Sequence, residues 1–210
     1  MKKFFNTAGP TIKKDHYHID LLSRVDWEEI EDLIDQKRYF ILHAPRQTGK
    51  TSTLLGIMEE LNSGEDYACA YANIEAAQAA RGDVSRGLEA ICSAVSSQID
   101  LYLKTSLRKW LHTEAKEISS EDKLTSLLSQ WSQTSSKPTV LLLDEVDALV
   151  GDTLISLLRQ IRAGYAQRPE AFPISIILCG VRDIKDYRIH TKHNEIITGG
   201  SAFNIKAESI

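Results

Sequence analysis

Nine consecutive residues, from Ala44 to Ser52, have the types and spacing of a loop that binds phosphate groups. Such a loop turns successive backbone N–H groups inward, and Gly49 lets the chain approach the phosphate closely. Lys50 can reach β- and γ-phosphate oxygens, and the hydroxyl of Thr51 can ligate Mg²⁺. Ala44 stands where the usual pattern has its first glycine, and it is small enough to be accepted there. The predicted phosphate-binding residues are Ala44, Pro45, Arg46, Gln47, Thr48, Gly49, Lys50, Thr51 and Ser52.

Two adjacent carboxylates, Asp144 and Glu145, end the apolar run 140–143. Ligands of open parallel sheets bind at the carboxyl ends of the strands. We therefore expect Asp144 to hold Mg²⁺ through a coordinated water, since this ion keeps several of its waters. Glu145 is predicted to orient and deprotonate a water that attacks a γ-phosphate. The alternative is that the two acids only begin a loop and cap the next helix.

The strands that must position these residues follow from short, nearly unbroken apolar runs. Such runs are typical of strands that are buried on both faces. They predict strands over residues 39–44, 67–74, 139–143, 174–179 and 202–207.

Amphipathic stripes lie between these runs and predict helices. The first helix is expected over residues 51–61, directly after the loop, and another begins after an Asp83 cap. Ser119 and Asp122 predict a capping box at the start of a helix over 121–133. Helices that alternate with two-sided apolar strands indicate an α/β protein whose mostly parallel sheet is sandwiched by helices.

Composition and charge exclude several classes of protein. The 210 residues suit one globular domain. The 25 Lys and Arg against 29 Asp and Glu give a net charge of -4, which disfavours a nucleic-acid-binding protein. The three cysteines are widely spaced and indicate neither a disulfide framework nor a zinc site. Without an apolar run that suits a signal peptide or a membrane span, we expect a soluble, cytoplasmic protein with no membrane contact.

The loop and the acidic pair resemble those of P-loop nucleoside triphosphatases that insert a strand between the two motifs and carry a catalytic glutamate. With the strings FNTAGP at 5–10 and CGVRD at 179–183, the chain looks like the bacterial AAA-like ATP-binding proteins. The resemblance implies a three-layer α/β/α sandwich whose five parallel strands have the order 5-1-4-3-2. It also implies ATP and Mg²⁺ as ligands, and the chain has no Asn-Lys-x-Asp motif that would read guanine.

The same resemblance implies where the adenine base lies. It places the base near the N-terminal segment, so residues 5–10 and the stretch 16–19 are candidates for a base pocket. Packing of Phe5, Tyr17 and Ile19 at the edge of the domain is an equally good interpretation.

An arginine just beyond the 174–179 strand is the third candidate. Arg182 resembles the arginine with which signal-transducing switch ATPases sense a terminal phosphate, a role that suits a planar, permanently charged group. The alternative is a surface salt bridge with Asp183 or Asp186. Arg46 in the loop and Arg188 are weaker candidates, the latter as a finger that is offered to a neighbouring subunit.

These residues predict a Mg²⁺-dependent ATPase. Lys50, Glu145 and Arg182 are its predicted catalytic residues, and Thr51 and Asp144 are its predicted metal-binding residues. A nucleotide-gated signalling or scaffold switch, with negligible hydrolysis, is the second hypothesis.

The chain is expected to form one domain. In it, an N-terminal segment and helix at 1–38 flank the nucleotide site of a P-loop core at 39–210. We expect the helical lid of the resembled family to be absent, so hydrolysis by the core alone would be slow. A protein partner or a second copy of the chain stays open.

Overall fold

The computed structural model describes residues 22–149 and 151–180, each without a break. Nearer the N-terminus it describes residues 2–7, 9, 12–17, 19 and 20, and beyond residue 180 it describes three short strands. The predicted phosphate-binding loop and the acidic pair lie in the continuous part.

Six α-helices and seven strands lie within these described residues. The helices are α1 (Trp27–Asp35), α2 (Lys50–Ser63), α3 (Val84–Leu103), α4 (Leu107–Thr113), α5 (Ser120–Thr134) and α6 (Asp152–Ala163). The strands are β1 (Phe40–His43), β2 (Ala68–Asn73), β3 (Thr139–Asp144), β4 (Ser175–Gly180), β5 (Arg188–His190), β6 (Ile196–Thr198) and β7 (Ala207–Ser209). In the described part of the chain, no helix combines the length and apolar character that crossing a membrane requires.

The main sheet contains four parallel strands of four to six residues in the order β2-β3-β4-β1. Read from β1, this is the order 1-4-3-2 that the resemblance implied. The implied five-stranded sheet is corrected to four full strands, and residues 202–206 of the predicted strand 202–207 lie outside the described residues. Only the three-residue β7 pairs with the outer edge of β1, and three residues are the lower limit of strand length. Strands β5 and β6 form a separate antiparallel pair.

The sheet is buried on both of its faces. Every residue of β3 and of β4 is buried, and neighbouring residues of a strand point to opposite faces. Helices therefore cover both sides, as the unbroken apolar runs predicted. Because β1 and β3 run in the same direction, their carboxyl ends reach the same edge of the sheet. This shared edge brings the loop and the acidic pair together.

The two predicted helix caps have different outcomes. Asp83 caps α3 as predicted, and its carboxylate accepts a hydrogen bond from the N–H of Arg86 at 3.1 Å. The predicted capping box is wrong, because no side chain caps α5 and the Ser119 hydroxyl instead lies 3.4 Å from the Asp122 carboxylate. An aspartate is shorter than the glutamate that normally closes a capping box. The helix itself is confirmed and begins at Ser120.

Candidate functional site

The loop between β1 and α2 is the centre of the candidate site. The N–H of Ala44, at the end of β1, donates to the carbonyl of Gly180 at 3.4 Å, which ties the loop to β4. Inside the loop, the Thr48 hydroxyl donates to the carbonyl of Pro45 at 2.8 Å. Gly49 has a φ of 88° and immediately precedes α2. The loop therefore delivers the positive end of the α2 dipole to the sheet edge, where an anion can bind.

Lys50, the first residue of α2, is buried across this loop. Its Nζ donates to the carbonyls of Ala44 at 3.0 Å and Pro45 at 3.1 Å. An ammonium has three N–H donors, so one remains for an anion in the loop. The two carbonyls hold the charge at the loop, as phosphate binding requires.

Asp144 connects the loop to the end of β3. Its carboxylate is fully buried and its Oδ2 accepts a hydrogen bond from the Thr51 hydroxyl at 2.6 Å. Its Oδ1 accepts the backbone N–H of Glu145 at 2.9 Å. The two predicted metal-binding residues, 93 positions apart in the sequence, are thus in direct contact.

Tyr71 of β2 is a member of this cluster that the sequence analysis missed. Its hydroxyl donates to Asp144 Oδ2 at 3.1 Å. Burial is the main cause that raises the pKa of Tyr71, and the charge of Asp144 adds to it, so this side chain stays a donor. The sequence offered one signal, a hydroxyl-bearing residue near the end of an apolar strand. The sequence of β2 does not show that β3 is its neighbour, so the contact with Asp144 could not be predicted.

Glu145 follows Asp144 in a left-handed conformation, with a φ of 60°. Partial burial is the main cause that raises its pKa above the ordinary value, and the charges of Asp144, Asp147 and Glu75 raise it further. Lys50 acts in the opposite direction. A carboxylate with a raised pKa accepts a proton more readily, which suits a general base.

The donor set fits a magnesium ion. The hydroxyl of Thr51 and the carboxylate of Asp144 are hard oxygen ligands, which Mg²⁺ prefers. Within the described ranges, no three His, Cys, Asp or Glu side chains cluster as a metal-binding group. Mg²⁺ keeps several of its waters and takes further oxygens from phosphate groups, so two protein oxygens are enough to help hold it.

A second residue that the sequence analysis missed is Arg24, in the 3₁₀ turn Leu22–Arg24. Its guanidinium donates to the carbonyl of Thr48. A Cβ added to Gly49 would lie 2.5 Å from Nη1 of Arg24. The guanidinium therefore covers the point where the loop enters α2, and it adds a second cation to the loop. No periodic pattern marks an arginine in a short turn.

The other predicted loop residues are at the loop surface or inside α2. Pro45, Arg46 and Gln47 are exposed at the tip of the loop, and Ser52 is buried in the first turn of α2. Thr48 is half-buried. The nine predicted residues therefore form the loop between β1 and α2 and the first residues of α2.

Several predicted residues remain untested. Arg182 lies outside the described residues, together with Asp183 and Asp186. In the predicted base pocket, Phe5 and Tyr17 are exposed and their rings pack against each other at 5.0 Å. That packing fits either interpretation, a base pocket or an edge of the domain.

Known proteins resemble this chain at two levels. A family model described as an AAA domain matches residues 33–187. Among solved structures, a Walker-type ATPase of Pyrococcus abyssi is similar, with a TM-score of 0.51 and 20% identity. The match covers 84% of this chain and 48% of that one, so this chain spans about half the length of that relative. No curated protein matches the sequence.

Proposed function

The chain belongs to the AAA domain family, and on this premise we propose that it binds ATP with Mg²⁺ and hydrolyses the γ-phosphate. The family match and the fold shared with a Walker-type ATPase support an ATP-binding, ATPase-like function. Hydrolysis and the roles of individual residues are proposed here in addition to that general function.

The contact between Thr51 and Asp144 carries the proposal. At 2.6 Å, it joins the helix after the phosphate-binding loop to the end of a strand from the other half of the sheet. A Ser or Thr hydroxyl and an Asp carboxylate, as in Thr51 and Asp144, are the protein groups that hold Mg²⁺ in P-loop enzymes. Phosphate oxygens and waters complete the coordination shell. Neither the loop nor the acidic pair alone would give this donor set.

Lys50 and Glu145 have separate tasks in the proposed reaction. The free donor of Lys50 binds a terminal phosphate oxygen and offsets its negative charge. Bound Mg²⁺ supplies further positive charge to the β- and γ-phosphate oxygens. Glu145 orients a water and accepts its proton as the water attacks the γ-phosphorus, and its raised pKa makes it a better acceptor.

The finer features of the sequence analysis belong to the same proposal. Arg182 follows the end of β4 by two residues, and β4 ends at the edge that carries the loop, which supports a role in sensing the terminal phosphate. The 1–38 segment would flank the nucleotide, since Arg24 contacts the loop. A fifth strand beside β1 would give the order 5-1-4-3-2, and the pairing of β7 supports it.

Release of phosphate from Mg-ATP tests the proposal. The purified chain and its Glu145→Gln variant are compared, with Glu117→Gln, an exposed glutamate, as the matched control. We expect the rate to fall by about 10²- to 10⁴-fold in Glu145→Gln and to stay unchanged in the control. Binding of ATP, measured by calorimetry, is expected to survive in both variants.

Equal rates in all three proteins would contradict hydrolysis at this site. If ATP still bound tightly, the nucleotide-gated switch would become the better interpretation. A Lys50→Ala variant is the control for nucleotide binding. If the parent chain binds ATP and Lys50→Ala does not, the binding takes place at the phosphate-binding loop.

A further inference from the structure

A cavity lies away from the phosphate-binding loop, between α3, α4 and the start of α5. Its volume is about 600 Å³, within the range of about 300–1,000 Å³ that small-molecule sites occupy. Ala90 and Cys92 of α3 and Leu111 of α4 contribute apolar surface to it. It is therefore large enough to receive a small organic molecule.

The charged residues around this cavity are mainly basic. Arg86, Lys116 and Lys123 contribute three permanent positive charges, against the single carboxylate of Glu89. The protein as a whole has a net charge of -4, so the cavity is a local exception. An anion is the ligand that this charge distribution favours.

Arg86 and Lys116 line the cavity with exposed side chains. The charge interaction described for the Lys123 ammonium is with the neutral thiol of Cys92, which offers it no negative charge. Lys123 is half-buried, and a partly buried ammonium without an acceptor is costly unless an anion completes it. The cations are thus available to a ligand.

The thiol at the floor of the cavity adds no negative charge. Burial raises the pKa of the Cys92 thiol to about 12, so this group stays neutral at physiological pH. The nearby charge of Lys123 opposes that rise, which is consistent with an ammonium directed toward the floor. The cavity therefore combines a neutral, apolar floor with a cationic rim.

Another cavity, of about 410 Å³, differs in how its polar groups are bonded. Its polar groups already bond to the chain: the Asn62 amide bonds the backbone of Cys69 in both directions. Lys137 Nζ donates to the carbonyl of Gly64. These bonds hold the fold together and leave little for a ligand.

We propose that the cavity between α3, α4 and α5 is a binding site for a small phosphorylated molecule that carries at least two negative charges. Arg86 and the two lysines bind the phosphate oxygens, and the apolar floor receives the rest of the molecule. The site is separate from the nucleotide-binding loop and does not depend on hydrolysis.

Calorimetric titration of pyrophosphate into the full chain tests this proposal. All variants carry Lys50→Ala, which removes the main cation of the nucleotide loop. The test variant adds Arg86→Ala and Lys123→Ala, and a second test variant adds Lys116→Ala alone. The control adds Lys109→Ala, which removes an exposed cation of α4 that does not line the cavity.

The expected result is a dissociation constant at least about tenfold weaker in each test variant and unchanged in the control. Amide NMR shifts induced by pyrophosphate are expected to map to α3, α4 and the start of α5. Equal dissociation constants in all variants, or shifts confined to residues 44–52, would overturn the proposal. The same outcome would leave the ATPase proposal untouched, because that proposal depends on Lys50 and Glu145.

Discussion

The guanidinium of Arg24 lies directly against Gly49, so that a Cβ on Gly49 would be 2.5 Å from Nη1 of Arg24. The same group donates a hydrogen bond to the carbonyl of Thr48. A turn that precedes the sheet therefore covers the end of the phosphate-binding loop. Gly49 is required there for its φ of 88°, which L side chains rarely adopt.

Substitution of Gly49 by alanine is expected to weaken binding of Mg-ATP. The left-handed conformation costs an alanine about 1–2 kcal/mol, and relaxation of that strain would move the loop. Calorimetry should give a dissociation constant about tenfold weaker, because about 1.4 kcal/mol corresponds to a factor of ten. Gly64→Ala, at the other end of α2, is the matched control, since a Cβ there meets only ordinary contacts at 3.8 Å or more.

A Gly49→Ala/Arg24→Ala double variant separates the two causes. It removes the steric contact but keeps the backbone strain, so we expect no recovery of affinity. Recovery to the level of Arg24→Ala would contradict the strain argument. Equal affinities of Gly49→Ala and Gly64→Ala would contradict the role of the loop conformation altogether.

Arg24→Ala alone is expected to weaken Mg-ATP binding by about tenfold, because it removes a cation beside the loop and the hydrogen bond that holds Thr48 in place, and a charge-assisted bond contributes about 1.5–3 kcal/mol. Arg24→Lys should retain part of the affinity, since it keeps the charge but loses the planar fork. Arg159→Ala removes an exposed arginine of α6 and serves as the control. If Arg24→Ala and Arg159→Ala bound Mg-ATP equally well, the guanidinium would have no part in binding.

Asp144→Asn is expected to raise the Mg²⁺ concentration that half-maximal ATP binding requires. The change keeps the volume of a fully buried side chain but removes its charge, and we expect an increase of at least about tenfold. Tyr71→Phe removes one hydrogen bond to the same carboxylate. Loss of such a supporting partner typically costs about 10- to 100-fold in metal affinity.

Titration of Mg²⁺ at fixed ATP measures both effects. Binding of ATP without the metal should change little in either variant. An unchanged Mg²⁺ requirement in Asp144→Asn would show that the contact with Thr51 does not belong to a metal site.

The strands could be predicted closely because burial on both faces leaves a continuous apolar run in the sequence. The predicted 139–143 and 174–179 strands are observed as Thr139–Asp144 and Ser175–Gly180. The loop and the acidic pair were also predictable, because each is a local string of residues. Their contact followed from the rule that parallel strands end at one edge.

Arg24 and Tyr71 were not predictable for a different reason. Arg24 lies in a short turn, and its contact with Thr48 depends on how the chain returns to the sheet. Tyr71 reaches Asp144 because β2 lies beside β3 in a register that pairs Asn73 with Asp144. Strand order and register depend on the whole sheet, so a single strand contains no signal for either contact.

The raised pKa of Glu145 predicts how its removal changes stability with pH. Burial, and then the charges of Asp144 and Asp147, raise this pKa in the folded chain above the ordinary value of 4.5, which the unfolded chain retains. The folded state therefore binds the proton more tightly, and ionised Glu145 destabilises it once the pH exceeds both pKa values. Glu145→Gln should thus be more stable than the parent chain at pH 8.

At pH 4, below the ordinary pKa of 4.5, the carboxyl is mostly protonated in both states, so most of the advantage of Glu145→Gln should be lost there. Urea unfolding at pH 4 and pH 8 measures this difference, with Glu117→Gln as an exposed control. Asp147→Asn should lower the pKa of Glu145, because it removes one of the charges that raise it. We therefore expect Asp147→Asn to increase the free energy of unfolding at pH 8 by less than Glu145→Gln does. A gain for Glu145→Gln that is the same at both pH values would contradict the electrostatic origin, since packing alone does not titrate.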